Sequence, residues 1–157
     1  MINVFTGEGH GKSPAAIGEA LQRAAAGDRV VIIQFLKGKG VIESEMISRL
    51  EPELKIFRFE KTDVKFDDLP DSRKEEETIN IRNGINFAKK VISTGGCDLL
   101  VLDEILGIAD NGIISIEELE EILKTAPEHM DIILTGITLD DRILAISDHV
   151  SSITARK

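Results

Sequence analysis

The chain has 157 residues, 42% of them hydrophobic and 30% charged, with a formal net charge of -9 at pH 7. That length suits one domain with a substantial core, residues 1–157, and no apolar run approaches the roughly 18 residues that a membrane span needs. The acidic balance leaves no basic stripe to displace counterions, which argues against nucleic acid as a partner.

Strand-like and helix-like segments alternate along the whole chain. Residues 2–5, "INVF", form a short apolar strand that stops at a glycine-rich turn. Residues 14–27 are alanine-rich and helical in pattern, with Gly27 as the C-terminal stop. Residues 29–36, "RVVIIQFL", are almost continuously apolar and β-branched, as a strand buried on both faces should be. A weaker strand is expected over residues 53–59. The irregular stretch 60–70 is a candidate functional loop by its length. Residues 71–94 read as a long helix with Ser72 and Glu75 as a capping box; Ile81, Ile85, Ala88 and Ile92 form its apolar face, and Gly95 and Gly96 end it. The acidic run 75–77 is expected in solvent. "DLLVLD" (98–103) and "DIILTG" (131–136) are two more buried strands, separated by a helix that Ser115 and Glu118 cap. A short helix near 140–146 and then "HVSSITA" close the chain.

This alternation implies a three-layer α/β domain with a mainly parallel sheet, in which ligands bind outside the carboxyl ends of the strands. The only cysteine, Cys97, cannot form an internal disulfide and suits a small core position. With no charged and apolar leader ahead of "MINVF", a cytoplasmic protein is expected. His129 is expected at the surface, and His149 is left open between a structural and a ligand-near role.

The turn "TGEGHGKSPAA" lies where the first strand meets the first helix. Its Gly11, Lys12 and Ser13 match the second half of a phosphate loop, G-x-x-x-x-G-K-[ST], but Thr6 stands where the first glycine belongs. Loop N–H groups and the helix dipole would converge on an anion there, Lys12 would neutralise it, and the Ser13 hydroxyl would ligate Mg²⁺. Pro14 removes one donor from the first helical turn, where proline is otherwise tolerated. Asp103 and Glu104 fall at the end of a buried strand, the position from which a carboxylate meets a metal ion or its water. Together the two motifs indicate a P-loop NTPase-like nucleotide-binding domain.

"TGEGHGKSPAA", "VVIIQFLKGKG", "DLLVLDEI" with its downstream "NGIISIEELEEIL", "DIILTG" and "ISDHVSSI" occur in the order found in the ATP:corrinoid adenosyltransferases, which the sequence resembles over essentially its whole length. The offset glycine is that family's usual form. The resemblance implies transfer of the 5′-deoxyadenosyl group of ATP to the Co(I) of a reduced corrinoid, with Mg²⁺ or Mn²⁺ and with triphosphate as leaving group. It implies that Thr6, Gly7, Glu8, Gly9, His10, Gly11, Lys12 and Ser13 hold ATP, and that Ser13, Asp103 and Glu104 lie at the metal. It further implies that Val64 and Phe66, in the 60–70 loop, meet the corrinoid; family members often form dimers, which leaves a homodimer open for this chain. No covalent catalytic residue is implied, because Co(I) is itself the nucleophile.

Six positions depart from the family pattern: His10 for a lysine, Pro14 for a threonine, Val64 for an aromatic, Leu106 for an asparagine, Ile137 for an arginine and Ser152 for an acid. Two alternatives to an active transferase therefore stand: a divergent nucleotide- or corrinoid-binding protein with weak or no transfer, and a P-loop NTPase of another kind.

Overall fold

A computed structural model describes residues 1–36, 48–59 and 64–157. Residues 37–40 of the second motif and 60–63 of the expected functional loop lie outside the described residues. The chain builds β1 (Ile2–Thr6), α1 (Lys12–Ala25), β2 (Val30–Gln34), β3 (Leu54–Arg58), a 3-10 turn (Phe66–Asp68) and α2 (Asp71–Thr94). It continues with β4 (Leu99–Asp103), α3 (Ile105–Asp110), α4 (Ile116–Lys124), β5 (Asp131–Gly136), α5 (Asp141–Ile146) and β6 (His149–Ser152). The strands form one six-stranded sheet in the order β3-β2-β4-β5-β1-β6, and every pairing is parallel.

Alternation along the central strands assigns the two faces. Val30, Ile32, Leu99, Val101 and Ile133 pack with Ala16 and Ala20 of α1. Ile33, Leu100, Leu102, Ile132 and Leu134 face the opposite way, onto Ile81, Ile85 and Ala88 of α2 and onto α3, α4 and α5. The strands are therefore apolar on both sides because both sides are covered, which gives a three-layer α/β P-loop NTPase-like fold. The small residues Ala16 and Ala20 let α1 lie close on the sheet.

Helix ends follow local chemistry with one correction. Ser115 accepts from the Glu118 N–H at 3.1 Å and caps α4, Gly95 ends α2 at φ 60°, and Gly27 follows α1 at φ 99°. The expected Ser72 cap is not formed: α2 starts at Asp71 behind Pro70, whose fixed backbone angle already suits a helix entry, and Ser72 lies inside the first turn. Glu77 corrects a second expectation. It is only 5% exposed while Glu75 and Glu76 are open to solvent, because the helix turns it inward.

All six strands point their carboxyl ends at one rim. From that rim the chain leaves β1 for α1 on one face and β4 for α3 on the other, which opens a crevice between them.

Candidate functional site

Thr6 ends β1, and its role is mechanical. Its hydroxyl donates to the Ile137 carbonyl at 2.7 Å, and the Gly7 N–H reaches the same oxygen at 3.3 Å, so the loop is tied to the end of β5. A glycine in place of Thr6 would lose the first of these bonds.

The glycines answer to a neighbour that the sequence pattern does not reveal. Ile153, just past β6, donates its N–H to the Thr6 carbonyl at 2.7 Å and accepts from the Gly9 N–H at 2.9 Å. A Cβ at Gly7 would sit 2.4 Å from the Ile153 carbonyl oxygen, and one at Gly9 would sit 2.8 Å from the Ile153 side chain. Gly7 also has φ 111°, which side chains rarely adopt. The Gly7 and Gly9 N–H groups are thus used inside the protein. Any anion donors of this loop would come from farther along, toward the start of α1. There Gly11 is the N-cap and supplies no side-chain cap.

Lys12 is 8% exposed and folds back over the loop, its Nζ 2.9 Å from the Gly9 carbonyl oxygen. Glu8 and His10 are exposed at the loop tip, and Pro14 is exposed in the first turn of α1.

Ser13 reaches across to β4 and donates from Oγ to Asp103 Oδ1 at 2.7 Å. Asp103 has no exposed surface. Its Oδ1 also accepts from Thr135 Oγ1 at 2.7 Å, and its Oδ2 accepts from Gln34 Nε2 at 3.1 Å. A carboxylate buried to this degree must have its lone pairs filled, and Ser13, Thr135 and Gln34 are among the donors that do so. Glu104 follows with φ 65°, a left-handed turn that its N–H stabilises by donating to Thr135 Oγ1 at 2.8 Å. The donor set of a serine hydroxyl and two neighbouring carboxylates is the hard-oxygen chemistry that suits Mg²⁺, which takes few protein ligands and completes its shell with water and phosphate. Among the described residues no group of three or more His, Cys, Asp or Glu is placed to hold a metal ion.

Beside this point a cleft of about 550 Å³ is lined by Leu36, Lys65, Phe66, Glu104, Gly107 and Ile137, among others. Phe66 opens the 3-10 turn and contributes to the wall, while Val64 is exposed nearby in the chain. Ile137 is 55% exposed, an apolar side chain at the lip where a guanidinium would have been polar. A second cleft of about 520 Å³, lined by Arg29, Val30, Lys55 and Phe57 among others, lies toward the opposite end of the strands.

Other sequence candidates separate from the site. Leu106 is buried, and a Cβ at Gly136 would come within 2.4 Å of its own Cβ, so it fills core space under β5. Ser152 pairs with Thr6 at the site end of β6, whereas His149 pairs with Asn3 near the opposite end. Asp148 Oδ2 accepts the Ile2 N–H at 2.7 Å and anchors the start of β1. His129 is exposed beside Gly95. Cys97 is fully buried, and burial pushes its thiol up to about 11, so it stays unreactive at neutral pH. Sequence reasoning missed Thr135, Gln34, Arg58 and Ile153 as site residues. Only the first three had a signal, a polar residue closing an apolar strand.

The sequence model of the ATP:corrinoid adenosyltransferase BtuR/CobO/CobP family matches residues 1–157. The chain belongs to that family. A corrinoid adenosyltransferase of Escherichia coli K12 is 29% identical over 153 residues, covering 98% of this chain and 76% of the relative. The corrinoid adenosyltransferase CobA of Salmonella typhimurium LT2 has the same identity and coverage. An uncharacterized protein of Nostoc sp. is 31% identical over 94% of this chain and 42% of its own length. Within this family member, no helix among the described residues is long and apolar enough to cross a membrane.

Proposed function

We propose that the protein transfers the 5′-deoxyadenosyl group of ATP to a reduced corrinoid. The observation that carries this reading is the Ser13–Asp103 contact set beside a buried Lys12, in a chain that matches the corrinoid adenosyltransferase family from end to end. The triphosphate lies against residues 10–13, with Thr6, Gly7, Glu8 and Gly9 shaping the loop around it. Lys12 leaves the Gly9 carbonyl to meet phosphate charge.

Ser13 and Glu104 would hold Mg²⁺, with Asp103 acting through the Ser13 hydroxyl, and the ion would neutralise charge on the leaving group. Asp103 acts from behind. Its oxygens accept hydrogen bonds, so it fixes the Ser13 hydroxyl with its proton turned toward the carboxylate. The corrinoid, a substrate, occupies the cleft by Phe66, with Val64 at its margin. Its Co(I) attacks the ribose C5′; the cobalt–carbon bond forms as the C5′–O bond breaks, and triphosphate leaves with that electron pair. The protein supplies alignment, charge neutralisation and exclusion of water.

A second reading has its own support. Ile137 is apolar at the cleft lip, Pro14 lacks a first-turn donor and His10 is a weaker cation than lysine, as expected of a member that binds substrates but joins them slowly. Mixing protein, ATP, Mg²⁺ and chemically reduced corrinoid separates the cases. The spectral change of a new cobalt–carbon bond establishes transfer. Calorimetric binding of ATP without that change establishes the second reading, and steady phosphate release without corrinoid overturns both.

A further inference from the structure

The carboxyl rim carries a polar row that crosses four adjacent strands. In the sheet register Gln34 pairs with Arg58 on one side and with Asp103 on the other. Thr135 follows Leu134, the partner of Leu102, so it completes the row on β5. All four side chains share the face on which α1 brings Ser13 to Asp103, because Ile32, Val101 and Ile133, two residues earlier in their strands, pack there. Along the row, Arg58 Nε donates to Gln34 Oε1 at 3.2 Å, and Gln34 Nε2 donates to Asp103 Oδ2 at 3.1 Å.

We propose that Arg58 is a positioning residue for the magnesium–nucleotide site, acting through Gln34 on Asp103; this rests on the reading of the loop as a Mg·ATP site. An aspartate carboxylate turns about its last bond with little resistance, so pinning one oxygen does not fix the other. Two hydroxyls hold Oδ1, and the Gln34 amide holds Oδ2. That amide has two orientations, and its neighbours select between them. Turned over, its carbonyl oxygen would face a carboxylate and its NH₂ would face a guanidinium, two repulsive contacts in a buried place. With Arg58 present, Gln34 has one stable orientation. Asp103 stays an acceptor for Ser13, and the serine hydroxyl keeps one orientation. The effect of Arg58 is therefore felt in the metal-dependent part of nucleotide binding.

The test is ATP calorimetry on the full chain, in excess Mg²⁺ and in EDTA, for the wild type, Arg58→Met, Gln34→Met and the double variant. We expect each single variant to bind Mg·ATP about tenfold more weakly, with metal-free affinity within about twofold of wild type. The double variant should lose no more than either single one, because Arg58 works through Gln34. Arg58→Lys, which keeps the charge without the planar fork, should fall between, and it carries the test if Arg58→Met does not fold. An unchanged magnesium advantage in Arg58→Met, or losses that multiply in the double variant, overturns the relay. If the wild type itself gains nothing from Mg²⁺, the underlying Mg·ATP reading falls and the relay falls with it.

Discussion

The Ser13 hydroxyl and the Asp103 carboxylate, 90 residues apart in sequence, meet at 2.7 Å and join the first turn of α1 to the end of β4. This contact makes the anion loop and the acidic strand end one device. Asp103→Asn keeps the shape but puts NH₂ donors against groups that already donate, from Ser13 and Thr135 or from Gln34. Transfer should fall about 10²-fold or more, with about 1–3 kcal/mol of stability lost. Rates with reduced corrinoid and a denaturant melt measure both; full activity in the variant would remove Asp103 from the mechanism.

Lys12 holds a loop carbonyl at 2.9 Å, so removing it costs a local bond and, on the proposed function, the charge that meets phosphate. Lys12→Ala should fold but lose the rise in melting temperature that ATP with Mg²⁺ gives the wild type. An equal rise in both proteins would place the nucleotide elsewhere.

A loop glycine and a helix glycine should respond with different signs. Gly7→Ala meets the Ile153 carbonyl at 2.4 Å with φ 111°, whereas Gly18, inside α1, has no atom within 4 Å of an added Cβ. Gly7→Ala should cost about 2 kcal/mol or more, and Gly18→Ala should gain roughly 0.5–1 kcal/mol. Urea unfolding of the two variants decides it. Equal effects would mean that Ile153 does not crowd the loop.

The fold was legible because its signals are local. Continuous apolar runs at β2, β4 and β5 imply cover on both faces, and Ser115, Gly27 and Gly95 mark helix ends through their own chemistry. The loop and Asp103 were legible for a similar reason, as motifs at strand ends. What escaped depends on distant partners. Nothing near Ile153 in sequence says that its backbone crosses Gly7 and Gly9, and nothing near Arg58 says that Gln34 will stand between it and Asp103. Ser72 was misread because proline at position 70 starts the helix without a side-chain cap, and Glu77 because a charge run conceals its inward turn. Leu106 looked like an altered ligand position but fills space beneath Gly136.

Acid should loosen the layer farther from α1. Arg82 grips Glu118 with both terminal nitrogens, at 2.9 and 3.0 Å, and Lys89 adds a contact at 2.8 Å, joining α2 to α4. The Arg82 hydrogen bonds chiefly, with Lys89 helping, hold the Glu118 carboxyl down to about 2 from its ordinary 4.5. A lowered folded value means that the stabilisation is complete above about pH 4.5 and is lost as the pH falls toward 2. Glu118→Gln should be less stable than wild type at pH 7 by about 1 kcal/mol, since these groups are partly in solvent, and the gap should close across that window. Melts from pH 7 to pH 2 test it; a gap that stays constant would show that the pair contributes nothing through its charge.

Ile137→Arg tests whether the altered lip limits the chemistry. The side chain is 55% exposed at the edge of the cleft, and the bonds that tie Thr6 and Gly7 to this position use its carbonyl, which the substitution keeps. An arginine should therefore be accommodated at little cost in stability. Its planar fork can pair with phosphate oxygens, a charge-assisted contact of about 1.5–3 kcal/mol if the departing triphosphate lies within reach. The expected result is a rise of about tenfold or more in kcat/KM. If the contact strengthens as the C5′–O bond breaks, the gain appears in kcat; if it is equal before and during reaction, the gain appears as a lower KM for ATP. No gain in either constant would mean that the triphosphate does not lie under residue 137.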